Sequence, residues 1–157
     1  MVTRPVHVES LVHYYVNEVR SDRGLRELEY DADLATIARS HSSDMVDRVF
    51  FSHTTPEGRD IGDRYRAHEY HVDYPRRNRW GENIAQRSFP LSRIDRRPEE
   101  DRSRILVETA QAIVDQWLNS PEHRENLLDE NWKREGIGAS VRESTTPEQL
   151  FVTQNFS

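Results

Sequence analysis

The chain has 157 residues, of which 34% are hydrophobic and 32% charged, and a formal net charge of −6. That length fits one domain, residues 1–157, with a small core and a very polar shell. Having no cysteine, it excludes disulfides, thiolate metal sites and cysteine nucleophiles. The acidic balance, with a sequence pI near 5.6, argues against a nucleic-acid binder, whose footprint is a basic patch.

Residues 6–20 read as a helix with Val8, Leu11 or Val12, Tyr15 and Val19 on its apolar stripe, stopped at Asp22-Arg23-Gly24. A second helix is predicted from Asp31 to Arg48, with Asp31 or Asp33 at its start and Leu34, Ile37, Ala38, His41 and Met45 facing inward. Phe50-Phe51 reads as a buried aromatic pair, followed by Ser52-His53 and a Thr-Thr-Pro turn. A short helix is expected over Ile61–His68, then an irregular loop over Tyr70–Arg79. Its Arg76, Arg77 and Arg79 read as solvated.

Trp80 to Ala85 has the look of a short strand or extended turn, and residues 87–102 that of a surface excursion. A long helix follows over about Asp101–Leu118, with Leu106, Ala110, Ile113 and Trp117 on one face. Ser120 then caps a short helix that has Pro121 in its first position. Gly136–Val141 and Leu150–Phe156 alternate as two strands of a hairpin. Helices first and antiparallel strands later make an α+β domain.

Three of these positions can carry chemistry. His53 sits in a turn that can aim it at a cleft; a histidine bonding local backbone is the plainer alternative. His123 lies in the first turn of its helix, where the positive helix end favours a neutral ring. Glu82 stands in a stretch that should be buried, so it needs a partner: His53, His123 or an arginine. Two histidines and a glutamate could hold a divalent metal or form a His–carboxylate pair, though their separations match no short metal motif. His41, on an apolar helix face, reads as a hydrogen-bonded core histidine.

The ordered string Asn17…Arg20…Gly24-Leu25…His41-Ser42…Phe50-Phe51-Ser52-His53 continues through Asp63-Arg64 and Gly81-Glu82-Asn83-Ile84-Ala85. It ends with Trp117…Ser120-Pro121…His123-Arg124…Asn126-Leu127-Leu128, Gly136-Ile137-Gly138 and Thr153-Gln154…Phe156. This string resembles the CAP superfamily (cysteine-rich secretory proteins, antigen 5 and pathogenesis-related 1), in its cysteine-free prokaryotic SCP-like branch. The resemblance implies a three-layer α-β-α sandwich with a small antiparallel sheet between helices. It implies a central cleft in which two His and two Glu can hold zinc or another divalent cation. His53, Glu82 and His123 match three of these, whereas the second glutamate falls at Ser120.

The function so implied is a secreted or surface-displayed binding module for a small lipid-like, protein or cell-surface ligand, acting as a monomer and without robust turnover. Two rivals stand: a metal-dependent hydrolase using His53, Glu82 and His123, and a scaffold whose polar cluster ties helices to sheet. No basic segment followed by an apolar one opens the chain, so the expectation is either a cytosolic protein or an excised exported domain.

Lys133 is the only lysine, and an acidic, lysine-poor surface suits high salt, where screening removes self-repulsion. The thermal midpoint is therefore expected to rise from low to molar KCl. A flat or falling midpoint would leave the missing lysines to genome composition alone.

Overall fold

The computed structural model describes residues 4–70 and 80–157, so the Arg76, Arg77, Arg79 stretch lies outside the described residues. In chain order the elements begin with α1 (Pro5–Ser21), β1 (Glu29–Tyr30), α2 (Ala32–Arg48) and α3 (Ile61–Ala67). There follow β2 (Gly81–Ser88), α4 (Leu91–Ile94), α5 (Glu99–Leu118), α6 (Pro121–Leu128), β3 (Arg134–Arg142) and β4 (Gln149–Phe156). The four strands form one sheet in the order β1-β3-β4-β2. Helices α2 and α3 cover one face and α1, α5 and α6 the other, giving an α-β-α sandwich.

Local chemistry explains the element ends. Gly24 adopts a left-handed φ of +70° just past α1, a conformation that costs glycine little. Asp31 caps α2 by accepting from the amides of Asp33 and Leu34. Asp60 and Asp63 form a reciprocal capping box at the start of α3. Glu99, Glu100 and Asp101 place negative charge at the positive end of α5.

The main core lies between the sheet and the α1/α5 layer, where Val8, Val12, Val16, Ile113, Trp117 and Ile137 are fully buried. The Trp117 indole N–H donates to the Ile84 carbonyl at 3.0 Å, so the largest core side chain also locates α5 on β2. On the opposite face α2 lies directly on β3. A Cβ on Gly136 would fall 2.0 Å from the Ala35 amide nitrogen, and one on Gly138 2.0 Å from that of Arg39. The close approach requires glycine at both positions.

Several expectations need correction. The sheet is not wholly antiparallel, because β1 adds a two-residue parallel edge to β3. It is too short to show a periodic pattern. The inner stripe of α1 runs Val8, Val12, Val16 and Arg20, and Leu11, Tyr15 and Val19 only flank it. Phe51 is 46% exposed and Phe50 half-buried, so they are no buried pair. Residues 87–102 are more than an excursion: β2 runs on to Ser88, and Phe89 and Ile94 are buried among the charged residues around them. Ser120 occupies the cap position of α6, yet its hydroxyl makes no capping bond.

Trp117→Ala removes both a fully buried side chain and the bond to Ile84, and should cost about 3–5 kcal/mol. Urea unfolding measures this; wild-type stability in the variant would contradict the packing of α5.

Candidate functional site

Glu82 is the second residue of β2, and strand register sets it opposite Asn155 of β4. Its side chain is 2% exposed. Asn155 Nδ2 donates to Oε2 at 2.8 Å. Arg64 on α3 grips both oxygens, with Nη1 donating to Oε2 at 2.5 Å and Nη2 to Oε1 at 2.9 Å. Nη2 also donates to the His53 carbonyl at 2.7 Å, so one guanidinium fixes both the carboxylate and the His53 backbone. Gly62 lets α3 come this close, since a Cβ there would lie 2.6 Å from the Trp80 ring.

The His53 ring is half exposed, and its Nδ1 stands 2.9 Å from Glu82 Oε1. An ionised carboxylate only accepts, so Nδ1 carries a proton, and among the described residues Nε2 has no hydrogen-bond partner. His41 lies behind: its Nε2 donates to the Ser52 carbonyl at 2.8 Å and is 3.9 Å from Glu82 Oε1. It is the hydrogen-bonded core histidine expected from its helix face.

Burial alone would raise the Glu82 pKa. The hydrogen bonds from His53 and Arg64 and the Arg64 charge outweigh it, and hold the carboxyl at about 2.

His123 reaches the same place from the other helical layer. Asn126 donates to the Glu82 carbonyl at 3.2 Å and to Asn83 Oδ1 at 3.1 Å, while Asn83 donates to the His123 carbonyl at 3.1 Å. These bonds strap α6 to β2, the edge strand, and bring the His123 ring to 6.4 Å from that of His53, centroid to centroid. Burial, then repulsion from His53 whenever that ring is protonated, lowers the His123 pKa and keeps its ring neutral near pH 7. Its Nδ1 is buried and unpartnered. The structure thus joins His53 to Glu82 directly, and sets His123 across from His53 rather than against the carboxylate.

The pattern described as "CAP: Cysteine-rich secretory protein family" matches residues 13–156, nearly the whole chain. The chain belongs to this family. Its CAP domain is 31% identical over 140 residues to the uncharacterised membrane protein YlbC of Bacillus subtilis, covering 89% of this chain and 31% of that protein. It is 30% identical to YkwD of the same organism, over 83% of this chain and 41% of that one. The chain therefore spans well under half the length of these curated relatives. Among solved structures, an extracellular SCP-domain protein of Bacillus anthracis superposes with a TM-score of 0.67 at 30% identity. That match covers 95% of this chain and 39% of that one. An outer surface protein of Borrelia burgdorferi shares the fold, with a TM-score of 0.67 at 21% identity over 100% and 97% of the two chains.

The divalent cation that the family implies can be tested against the donors of this CAP domain. Glu82 does not fit as a ligand, because Oε1 already takes His53 and Arg64, and Oε2 takes Arg64 and Asn155. These four bonds occupy its lone-pair sites. Among the described residues no group of three or more His, Asp or Glu side chains is placed to hold a metal. The three-residue set His53, Glu82, His123 is in this respect two imidazoles backed by a carboxylate.

Sequence reasoning did not assign Arg64 and Asn155 to the site. The need of Glu82 for a partner pointed to some arginine, and Arg64 stood in the matched string. Asn155 follows only from a strand register between segments far apart in the chain.

Since the folded carboxyl pKa lies below its ordinary 4.5, this group's stabilisation is complete above pH 4.5 and lost as the pH falls toward 2. The loss should be on the order of 3 kcal/mol. Glu82→Gln leaves a buried guanidinium without its counter-charge, and should cost about 3–5 kcal/mol at pH 7. Urea unfolding between pH 2.5 and 7 checks both: the variant should be weaker at neutral pH and show a flatter acid limb.

Proposed function

We propose that this CAP domain is a ligand-binding module of the cell exterior, whose recognition site is the cleft between the His53 turn and the start of α6. One observation carries the reading: the His53 and His123 rings stand 6.4 Å apart at the end of a buried network, and among the described residues neither His53 Nε2 nor the buried His123 Nδ1 has a hydrogen-bond partner. Unsatisfied polar atoms fixed in this way favour an incoming partner. An exterior location is supported by the extracellular B. anthracis protein at 30% identity.

Where the ligand is a divalent cation, His53 Nε2 and the His123 ring are its donors, and zinc suits two neutral imidazoles better than magnesium or calcium. Two protein ligands imply modest affinity, which falls on acidification because protons compete for the imidazole nitrogens. Glu82 orients His53 from behind.

The hydrolase alternative draws on the same His53–Glu82 pair. Among the described residues no serine or threonine hydroxyl hydrogen-bonds to His53, so the pair has no protein nucleophile to activate. No helix among the described residues is long and apolar enough to cross a membrane.

Zinc titration by calorimetry on wild type, His53→Ala and His123→Ala tests the site. Binding is expected in wild type and lost in each variant; equal binding by all three would defeat the assignment. A peptide and ester panel should show no turnover, whereas zinc-dependent cleavage that disappears in His53→Ala would favour the hydrolase.

A further inference from the structure

We infer that Arg64 is the resident cation of the Glu82 site: its guanidinium stands where a metal would meet this carboxylate, making Glu82 a positioning residue for His53. The inference rests on the proposed recognition cleft and says how its donor nitrogen is prepared.

The two side chains match in charge and in geometry. Arg64 delivers two N–H bonds to the two carboxylate oxygens, the fork geometry that guanidinium supplies and a spherical ion does not. Both partners are buried, with side chains 9% and 2% exposed, so the pair is shielded from exchange with dissolved cations. Asn155 fills a remaining site on Oε2, and His53 Nδ1–H one on Oε1. The third Arg64 bond, from Nη2 to the His53 carbonyl, holds the residue whose ring Glu82 orients. Arg64 therefore sets both the backbone position and the tautomer of His53, and needs no metal to do so. With Nδ1 donating to Glu82, the neutral ring turns its Nε2 lone pair away from the carboxylate, the arrangement that carboxylate-backed histidines show at metal sites.

The same geometry predicts what removal of the guanidinium would release. Glu82 Oε1 and His53 Nδ1 are 2.9 Å apart, and His41 Nε2 is 3.9 Å from the same oxygen. Without Arg64 the carboxylate would lose its counter-charge and two of its four bonds, opening it to a metal, with His53 as the adjacent imidazole once its proton moves from Nδ1 to Nε2.

Two measurements test this. In chelator-treated wild type, the ring nitrogen shifts of His53 should report a proton on Nδ1 and a bare Nε2 at pH 7. In Arg64→Met, zinc should bind at least about tenfold more tightly than in wild type, a gain expected from one additional anionic ligand. The double variant Arg64→Met/Glu82→Gln should lack that gain. A His53 ring without a fixed tautomer in the metal-free wild type would overturn the inference. So would a folded Arg64→Met with wild-type zinc affinity.

If Arg64→Met does not fold, the tautomer measurement on wild type still decides. Failure of the cleft reading is distinct: zinc binding in wild type would then be indifferent to His53→Ala and His123→Ala, with the His53 tautomer still fixed.

Discussion

The contact between α2 and β3 governs the rest of the molecule. Two glycines, Gly136 and Gly138, remove the side chains that would hold the helix off the strand, and the backbones meet. At that distance Ser42 can donate to the Gly138 carbonyl at 2.8 Å and share a 2.7 Å hydrogen bond with Thr153. Arg142 reaches back to the Met45 carbonyl at 2.7 Å and to the Val46 carbonyl at 3.4 Å, tying β3 to the last turn of α2. With α2 so fixed, His41 has one possible depth. It holds the Ser52 carbonyl and with it the start of the His53 turn.

Buried carboxylates complete what a lean core cannot. Glu9 takes a two-point grip from Arg39 and the Ala139 amide, covering a stretch of β3 beyond its short pairing with β1. Glu135 is held by His13 at 2.6 Å and Gln154 at 2.7 Å. Glu82 has Arg64, His53 and Asn155. Each acid lies on a strand or helix and takes its partners from other elements, so each bond joins segments distant in the sequence. Such pairs add less net stability than their attraction suggests, because desolvation opposes it. Their strength is in geometry: a displaced layer would leave a buried charge unmatched, and only one arrangement satisfies all three acids together.

The helical stripes were legible because period and burial coincide, as in α2 and α5, whose predicted inner residues are all buried. α1 was read one step off its axis. The true stripe includes Arg20, whose guanidinium bonds the Arg26, Leu127 and Asp129 carbonyls, and hydrophobicity alone does not mark a buried arginine as inward. β1 escaped because two residues have no period, and the tail of β2 because its charges hid Phe89 and Ile94. For the site, the burial of Glu82 was readable from its apolar neighbours, and its closeness to His53 from the family pattern. That the acid is matched by an arginine is a fact of tertiary placement: Arg64 meets it through the angle of α3, set by Asp60 and Gly62.

That placement also sets the charge around Glu82. A second glutamate in this cleft would add a negative charge near Glu82, and a divalent cation would be the natural means of neutralising the two. Here Arg64 already neutralises Glu82, and the His123 ring is kept neutral by burial. One carboxylate and one guanidinium leave the Glu82–Arg64 pair without net charge. An extra carboxylate at position 120 would then lack a protein cation among the described partners of Glu82. Tethering the positive charge to α3 gives Glu82 its counter-charge from within the protein. Beside that pair the His53 ring is half exposed, with the His123 ring 6.4 Å away, centroid to centroid.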